Sequence, residues 1–197
     1  MFKCEICGSE IEAGARGRKP RFCSGRCRVA NHRANPIPAD LIGLPRWIRH
    51  DRKRPITVNG YAASSTAPNT WSTYTDAKAS KHGDGIGFVL NGDGIICIDL
   101  DHCLDENGTL SVVAQMILDE TPGAYAEVSP SGTGLHVWGR ATLDKGYRFT
   151  YDGQPIEIYP NGRYLTVTGR VYRKGNLADL TTWLPPFLTE MVNNPLK

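Results

Sequence analysis

Two carboxylates two residues apart, Asp99 and Asp101, end the apolar run Gly94-Ile-Ile-Cys-Ile-Asp-Leu-Asp101. The run is β-branched and follows the turn signal Asn91-Gly-Asp-Gly94, so it reads as a β-strand. Side chains alternate across a strand, which puts Ile96, Ile98 and Leu100 on one face and Asp99 and Asp101 on the other. Two like charges on one face repel unless a cation sits between them, and hard divalent ions such as Mg²⁺ take carboxylate oxygens. The plain alternative is a strand end running into a solvated loop with both acids exposed.

Later stretches repeat the pattern of one apolar face and one chemical face. In Gly134-Leu-His-Val-Trp138, His136 opposes Leu135 and Val137; in Ile156-Glu-Ile-Tyr159, Glu157 opposes the isoleucines. In Arg163–Arg170, Leu165 and Val167 alternate with Tyr164, Thr166 and Thr168. A sheet whose apolar side packs on helices would line its other side with Asp99, Asp101, His136 and Glu157. Directly before His136 comes Ser129-Pro-Ser-Gly-Thr-Gly134. Glycine admits close backbone approach, and amides with Ser and Thr hydroxyls cradle phosphate oxygens. Ser129, Ser131, Gly132 and Gly134 are therefore expected to form a triphosphate pocket with His136. No Gly-Lys-Ser/Thr follows, so this is not a Walker loop. Arg163 and Arg170 are the guanidinium candidates for a phosphate contact.

A different chemistry opens the chain. Cys4-x-x-Cys7, a gap of fifteen residues and Cys23-x-x-x-Cys27 pair thiols at the spacing of a four-thiolate zinc site. Four thiolates complete a tetrahedron, which leaves His32 as a surface residue or a phosphate contact, and Cys97 and Cys103 as free thiols. So short a module has no room for a hydrophobic core, and a structural metal would have to fold it. Residues 1–34 hold eight Lys/Arg against three acids, a balance of +5, while the remainder holds 15 basic and 17 acidic residues. A concentrated positive module suits a polyanion such as nucleic acid.

The elements that must position these groups are legible in outline. At 197 residues, with 40% hydrophobic and 22% charged residues, the chain suits one ordinary domain plus a small module. A zinc module over 1–34, a stiff proline linker over 35–41 and a catalytic domain over 42–197 are expected. Pro55–Ala62 reads as a hairpin around Asn59-Gly60, and Thr75 as the cap of a short helix. Gly85–Leu90 and Gly94–Asp101 read as a second hairpin, and Leu110–Asp119 as an amphipathic helix. Strands are expected at Ala124–Val128, Leu135–Arg140, Pro155–Tyr159 and Tyr164–Thr168, with a helix on either side of Pro185-Pro186. No apolar run reaches transmembrane length and no signal peptide opens the chain, so a cytoplasmic location without membrane contact is expected.

The ordered motifs Ile98-Asp-Leu-Asp101, Glu127-Val-Ser-Pro-Ser-Gly-Thr-Gly-Leu-His136 and Ile156-Glu-Ile-Tyr159 resemble the archaeo-eukaryotic primase superfamily. The likeness is to its primase–polymerase branch, found in phage and plasmid replication proteins, and spans roughly residues 45–170. The resemblance implies an α+β fold, an RRM-like sheet with helices on one face, preceded here by the zinc module. It implies that Asp99, Asp101 and Glu157 hold two divalent cations, Mg²⁺ or Mn²⁺, and that His136 with the Ser/Gly turn holds the incoming nucleotide's triphosphate. Single-stranded DNA template and nucleoside triphosphates are the implied partners. Such proteins often carry a helicase domain too; either a helicase is a separate partner here or the chain is a piece of a longer one.

Two other readings compete. Ile98-Asp-Leu-Asp101 also resembles the nucleophile motif of haloacid-dehalogenase phosphatases, but His102-Cys103 follow where that family has small residues, and His136 and Glu157 stay unexplained. A non-catalytic, zinc-containing nucleic-acid-binding module accounts for the N-terminus but not for the acid pair.

Overall fold

The computed structural model describes residues 2–4, 6–11, 20–27, 30 and 36–193, the last two by backbone alone. His32, and the basic residues Arg16, Arg18, Lys19, Arg28 and Arg33 of the N-terminal cluster, lie outside the described residues. The chain divides into two compact units, Met1–Pro36 and Ile37–Lys197.

In the first unit, β1 (Phe2–Lys3) pairs antiparallel with β2 (Glu10–Ile11). Between them the Gly8 N–H donates to the Cys4 carbonyl at 2.9 Å and the Cys4 N–H to the Ser9 carbonyl at 2.8 Å. Gly8 takes φ 73°, the left-handed conformation that glycine adopts without strain. The result is a tight knuckle with Cys4 and Cys7 on the same turn.

The second unit is built from α1 (Ala39–Ile42), β3 (Trp47–Asp51), β4 (Arg54–Ile56), α2 (Tyr74–Ala79), β5 (Gly85–Asn91), β6 (Ile95–Leu100) and α3 (Val112–Glu120). There follow β7 (Tyr125–Val128), β8 (Leu135–Arg140), β9 (Tyr147–Tyr151), β10 (Gln154–Tyr159), β11 (Asn161–Val167), β12 (Val171–Arg173), β13 (Ala178–Asp179) and α4 (Leu184–Asn193). The larger sheet runs β12-β7-β8-β6-β10-β9, with β13 parallel to β8, and the smaller runs β11-β5-β3-β4.

β6 is the central strand, and its alternation builds two cores at once. Ile96, Ile98 and Leu100 pack with Val113, Ile117, Leu184 and Leu188, so α3 and α4 cover that face. Ile95 and Cys97, on the opposite face, pack with Trp47, Phe88 and Trp138, which brings the smaller sheet over half of it. Each such Ile or Leu contributes roughly 1.5–3 kcal/mol by leaving water. Asp99 is the one β6 residue not fully buried, where the second sheet no longer covers the strand.

Several expectations are corrected. β5 and β6 are not a hairpin: β5 pairs with β3 and β11, and β6 with β8 and β10. The Asn91–Gly94 turn carries the chain from one sheet to the other, pinned by buried Arg46, which donates to both Asp93 oxygens at 3.1 and 2.9 Å. Thr73, not Thr75, caps α2: its Oγ1 accepts from the Asp76 N–H at 3.2 Å and donates to Asp76 Oδ2 at 2.7 Å. Pro185 and Pro186 do not separate two helices. They open α4, in the first turn where a missing N–H costs nothing. Ile37 and Leu41, inside the expected 35–41 linker, are buried in the second core.

Candidate active site

Strand pairing aligns the chemical residues in one row across the larger sheet. Glu157 is the register partner of Asp99, Asp99 of His136, and His136 of Glu127. Arg148 on β9 extends the row beyond Glu157. Cross-strand partners on one face stand about 5 Å apart at Cβ, close enough for their charges to interact directly.

His136 is buried between two carboxylates, its Nε2 3.6 Å from Asp99 Oδ1 and its Nδ1 3.5 Å from Glu127 Oε1. Burial disfavours the charged imidazolium, but hydrogen bonding with Glu127 and the charges of Asp99 and Glu127 outweigh it and hold the His136 pKa above its ordinary value. Burial also pushes the Asp99 carboxyl upward; His136 pulls against this and Asp101 and Glu157 add to it. Asp99 Oδ1 is a buried oxygen that makes no hydrogen bond, its nearest charged neighbour being His136 Nε2 at 3.6 Å. A deprotonated carboxylate oxygen in that situation is a ready ligand for a cation.

Asp101 follows the end of β6, and its carbonyl accepts a hydrogen bond from the buried Gln154 side chain, itself held by Ser111 Oγ at 2.8 Å. The Ser129–Gly134 turn presses on the same strand end. A Cβ on Gly134 would lie 2.7 Å from the Leu100 carbonyl and 2.8 Å from Ser129 Oγ, so only glycine fits. Within the turn the Gly132 N–H donates to the Ser129 carbonyl, and Ser129, Ser131 and Thr133 hydroxyls form a chain with 2.9 and 3.2 Å steps. Arg170 is not among the residues that line the cleft; its guanidinium donates to the Ser129 carbonyl and braces the turn.

These groups line a cleft of about 520 Å³, with Asp99, Asp101, Ser129, Ser131 and His136 on one side and Lys53, Tyr164, Leu165 and Thr166 on the other. Glu157 stands next to Asp99 in register. Its Oε1 accepts from Arg148 Nε at 2.9 Å and its Oε2 from the Tyr159 hydroxyl at 2.6 Å. Arg163 is exposed on β11, its guanidinium 5.1 Å from the Tyr159 ring centroid, and does not line the cleft.

In the N-terminal unit, the Cys4, Cys7, Cys23 and Cys27 sulfurs all lie within 4.8 Å of one another. A tetrahedral ion with Zn–S bonds of about 2.3 Å spaces its sulfurs about 3.8 Å apart. The Cys7–Cys23, Cys23–Cys27 and Cys7–Cys27 sulfur pairs stand at 3.5, 3.6 and 3.6 Å, all of them free thiols. The Cys7 backbone N–H draws the Cys4 thiol down to about 6, whereas hydrogen bonding with the Cys7 side chain pushes Cys23 up to about 12. Four thiols this close do not all ionise unless a cation joins them. The donor set fits a metal ion.

An acid-x-acid strand end, a small-x-His strand start and a third acid beside the first thus meet on one sheet face, and the sequence profile described as "Bifunctional DNA primase/polymerase, N-terminal" matches residues 29–191. The chain belongs to that family. It is 38% identical over 151 residues to the DNA Primase-polymerase of Nitratiruptor phage NrS-1, an alignment covering 69% of this chain and 21% of that protein. The chain spans about a fifth of the length of this relative. No helix among the described residues of this primase/polymerase family member is long and apolar enough to cross a membrane.

Three further residues belong to the site of this family member. Glu127 is fully buried, and its Oε2 accepts from the Tyr125 hydroxyl at 3.0 Å and from the Gly169 N–H at 2.8 Å. Its signal was present in the alternation Ala124-Tyr-Ala-Glu-Val128, which puts Glu127 on the face opposite Ala126 and Val128. Arg148 lies on β9, whose signal was likewise present: Tyr147, Phe149 and Tyr151 alternate with Arg148 and Thr150 before the hairpin pair Asp152-Gly153. Lys53 lies in the basic run Arg46–Arg54, where nothing in the pattern sets it apart from its solvated neighbours.

Proposed function

We propose that this chain carries a DNA-templated primase–polymerase that synthesises primers and extends them by two-metal nucleotidyl transfer, in the replication of a phage or plasmid. The observation that carries this reading is the row Glu157–Asp99–His136, three ionisable groups set side by side by the pairing of β10, β6 and β8. In this reading Asp99, Asp101 and Glu157 hold the catalytic divalent cations, Mg²⁺ or Mn²⁺, and the unsatisfied Asp99 Oδ1 supports it. Ions held there would supply Lewis-acid activation of the primer 3′-hydroxyl and charge neutralisation at the departing pyrophosphate. Glu157 would join them with the oxygen that now holds Arg148, whose side chain is 81% exposed and whose ion pair is correspondingly weak, while its other oxygen keeps the Tyr159 hydroxyl.

The Ser129–Gly134 turn and His136 receive the triphosphate, with hydroxyls and amides donating to phosphate oxygens. Glu127 and Asp99 fix the imidazole from both sides, so that it meets the nucleotide in one orientation. The strand order β7-β8-β6-β10, with α3 between β6 and β7, supports an RRM-like sheet. β9 stands where the second crossover helix of that pattern belongs, and α4 covers the helix side instead. Cys4, Cys7, Cys23 and Cys27 hold structural zinc in a module over 1–34, and the catalytic domain over 42–197 follows, with Ile37 and Leu41 of the intervening 35–41 packed into that domain's core. That module serves as a handle on single-stranded DNA, and a replicative helicase is a further partner in the host cytoplasm.

Primer synthesis on single-stranded DNA, with ribo- and deoxynucleoside triphosphates supplied separately and with or without chelator, tests the reading. Template-dependent products that vanish with chelator are expected. Turnover of a generic phosphate ester without such products would instead favour the dehalogenase-like chemistry.

A further inference from the structure

Lys53 belongs to neither of the strands that carry the acids nor to the Ser/Gly turn. It sits at the tip of the β3–β4 hairpin, in the smaller sheet, and reaches the cleft from the opposite wall to Asp99, Asp101 and Ser131. The two turn residues, Arg52 and Lys53, both take left-handed backbone conformations, with φ 48° and 66°. A two-residue hairpin turn of that hand is the ordinary place for Asn-Gly, because side chains with a Cβ are strained there. Here two long cationic residues occupy it.

The strained turn is fastened from outside at both residues. The Arg52 N–H donates to Asp84 Oδ2 at 2.7 Å, and the Tyr164 hydroxyl, itself in the cleft wall, donates to the Lys53 carbonyl. Neither bond uses the lysine side chain, so nothing in the turn's own architecture calls for an ammonium at this position. Strain retained at the rim of a functional cleft points to what the side chain does there. Besides His136, the residues lining the opposite wall offer a triphosphate only hydroxyls and amides, since Arg170 is engaged with the Ser129 carbonyl and does not line the cleft, and the acids would repel it. A flexible point charge arriving from above supplies the missing attraction.

We infer that Lys53 is a polyphosphate-binding arm, holding the β- and γ-phosphates of the bound nucleotide against the Ser129–Gly134 turn so that the two sheets grip the triphosphate between them. This rests on the nucleotidyl-transfer reading and extends it to an element outside the three motifs. The competing role is that of a counter-ion to Asp99, which would stabilise the fold without touching the ligand.

Calorimetric titration of the 197-residue chain, in magnesium buffer, with a deoxynucleoside triphosphate and with inorganic tripolyphosphate decides between them. Two variants are compared: Lys53→Met, which keeps the stem, and Arg52→Asn/Lys53→Gly, which installs the favoured turn and loses the arm. Both are expected to bind each probe about tenfold or more weakly, as for loss of a charge-assisted contact, and the double variant is expected to unfold at a higher temperature than wild type. Lys53→Arg should retain most of the affinity. Unchanged affinity in both variants, with wild type binding, would overturn the arm alone, and a lowered unfolding midpoint of Lys53→Met alongside it would establish the counter-ion role. A wild-type chain that binds neither probe would overturn the nucleotidyl-transfer reading itself, and the arm with it.

Discussion

Replacing Glu127 by Ala and, separately, by Gln distinguishes its charge from its role as a hydrogen-bond acceptor. Both strong donors, the Tyr125 hydroxyl and the Gly169 N–H, go to the same oxygen, Oε2. Ala removes that acceptor and strands the buried Tyr125 hydroxyl and the half-buried Gly169 N–H, at about 1–3 kcal/mol each with the N–H at the low end, so a loss of about 2–6 kcal/mol is expected. For a domain of this size each kcal/mol moves the unfolding midpoint by about 2–4 °C, which places Glu127→Ala roughly ten degrees below wild type. Gln can set its carbonyl where Oε2 stood and keep both bonds; only the charge facing His136 Nδ1 is lost. Glu127→Gln should therefore stay within about 1 kcal/mol of wild type in stability, by analogy with an exchange that leaves no buried donor unpaired. Nucleotide incorporation by Glu127→Gln should fall, because an amide NH₂ now faces Nδ1, which can no longer donate there, and one of the two carboxylates that favour the imidazolium is gone. Thermal unfolding by circular dichroism and single-nucleotide incorporation on the same preparations are the assays. Equal destabilisation by Gln and Ala would refute the hydrogen-bond assignment, and full incorporation by Gln would refute the orienting role.

Two further outcomes follow from other parts of the molecule. His50 is buried with neither ring nitrogen hydrogen-bonded, and burial, aided by Arg49 and opposed by Asp84 and Asp51, lowers its pKa. A depressed folded-state pKa leaves its stability contribution in place above the unfolded value of about 6.5 and removes it as pH falls through the folded value. His50→Phe should therefore gain on wild type in unfolding midpoint as pH drops below about 6.5, and a pH-independent difference would contradict it. In the N-terminal unit, Cys23→Ser should release zinc, abolish de novo priming and spare most primer extension, because an existing duplex already offers backbone to the catalytic unit. Deleting residues 1–34, which removes the basic module itself, should also make template affinity fall less steeply with salt than in wild type, and wild-type priming by a zinc-free variant would assign the module another task.

The chemical row was legible because period-two alternation needs no long-range information. Ile96, Ile98 and Leu100 against Asp99, Leu135 and Val137 against His136, and the isoleucines against Glu157 each declare a face locally. What the pattern lacks is pairing. Asn91-Gly92 before β6 looks like a hairpin turn whether β6 returns along β5 or crosses to another sheet, and only the distant strands β8 and β11 decide. Glu127 escaped for the same reason: a glutamate in a strand reads as solvent-facing until Tyr125, Gly169 and His136 are known to surround it. Lys53 could not be found at all, since Arg-Lys carries no turn signature and its left-handed conformation is imposed by Asp84 and Tyr164 from far along the chain.

Asp101→Asn tests the proposed metal site most directly. The amide keeps the shape of the side chain at the end of β6, and the Gln154 bond to the Asp101 backbone carbonyl does not depend on the carboxylate. Template-dependent nucleotide incorporation, measured with Mg²⁺ and with Mn²⁺ beside the thermal unfolding midpoint, should be lost in the variant while the midpoint stays at or above that of wild type. Incorporation at the wild-type rate by a folded Asp101→Asn chain would contradict it.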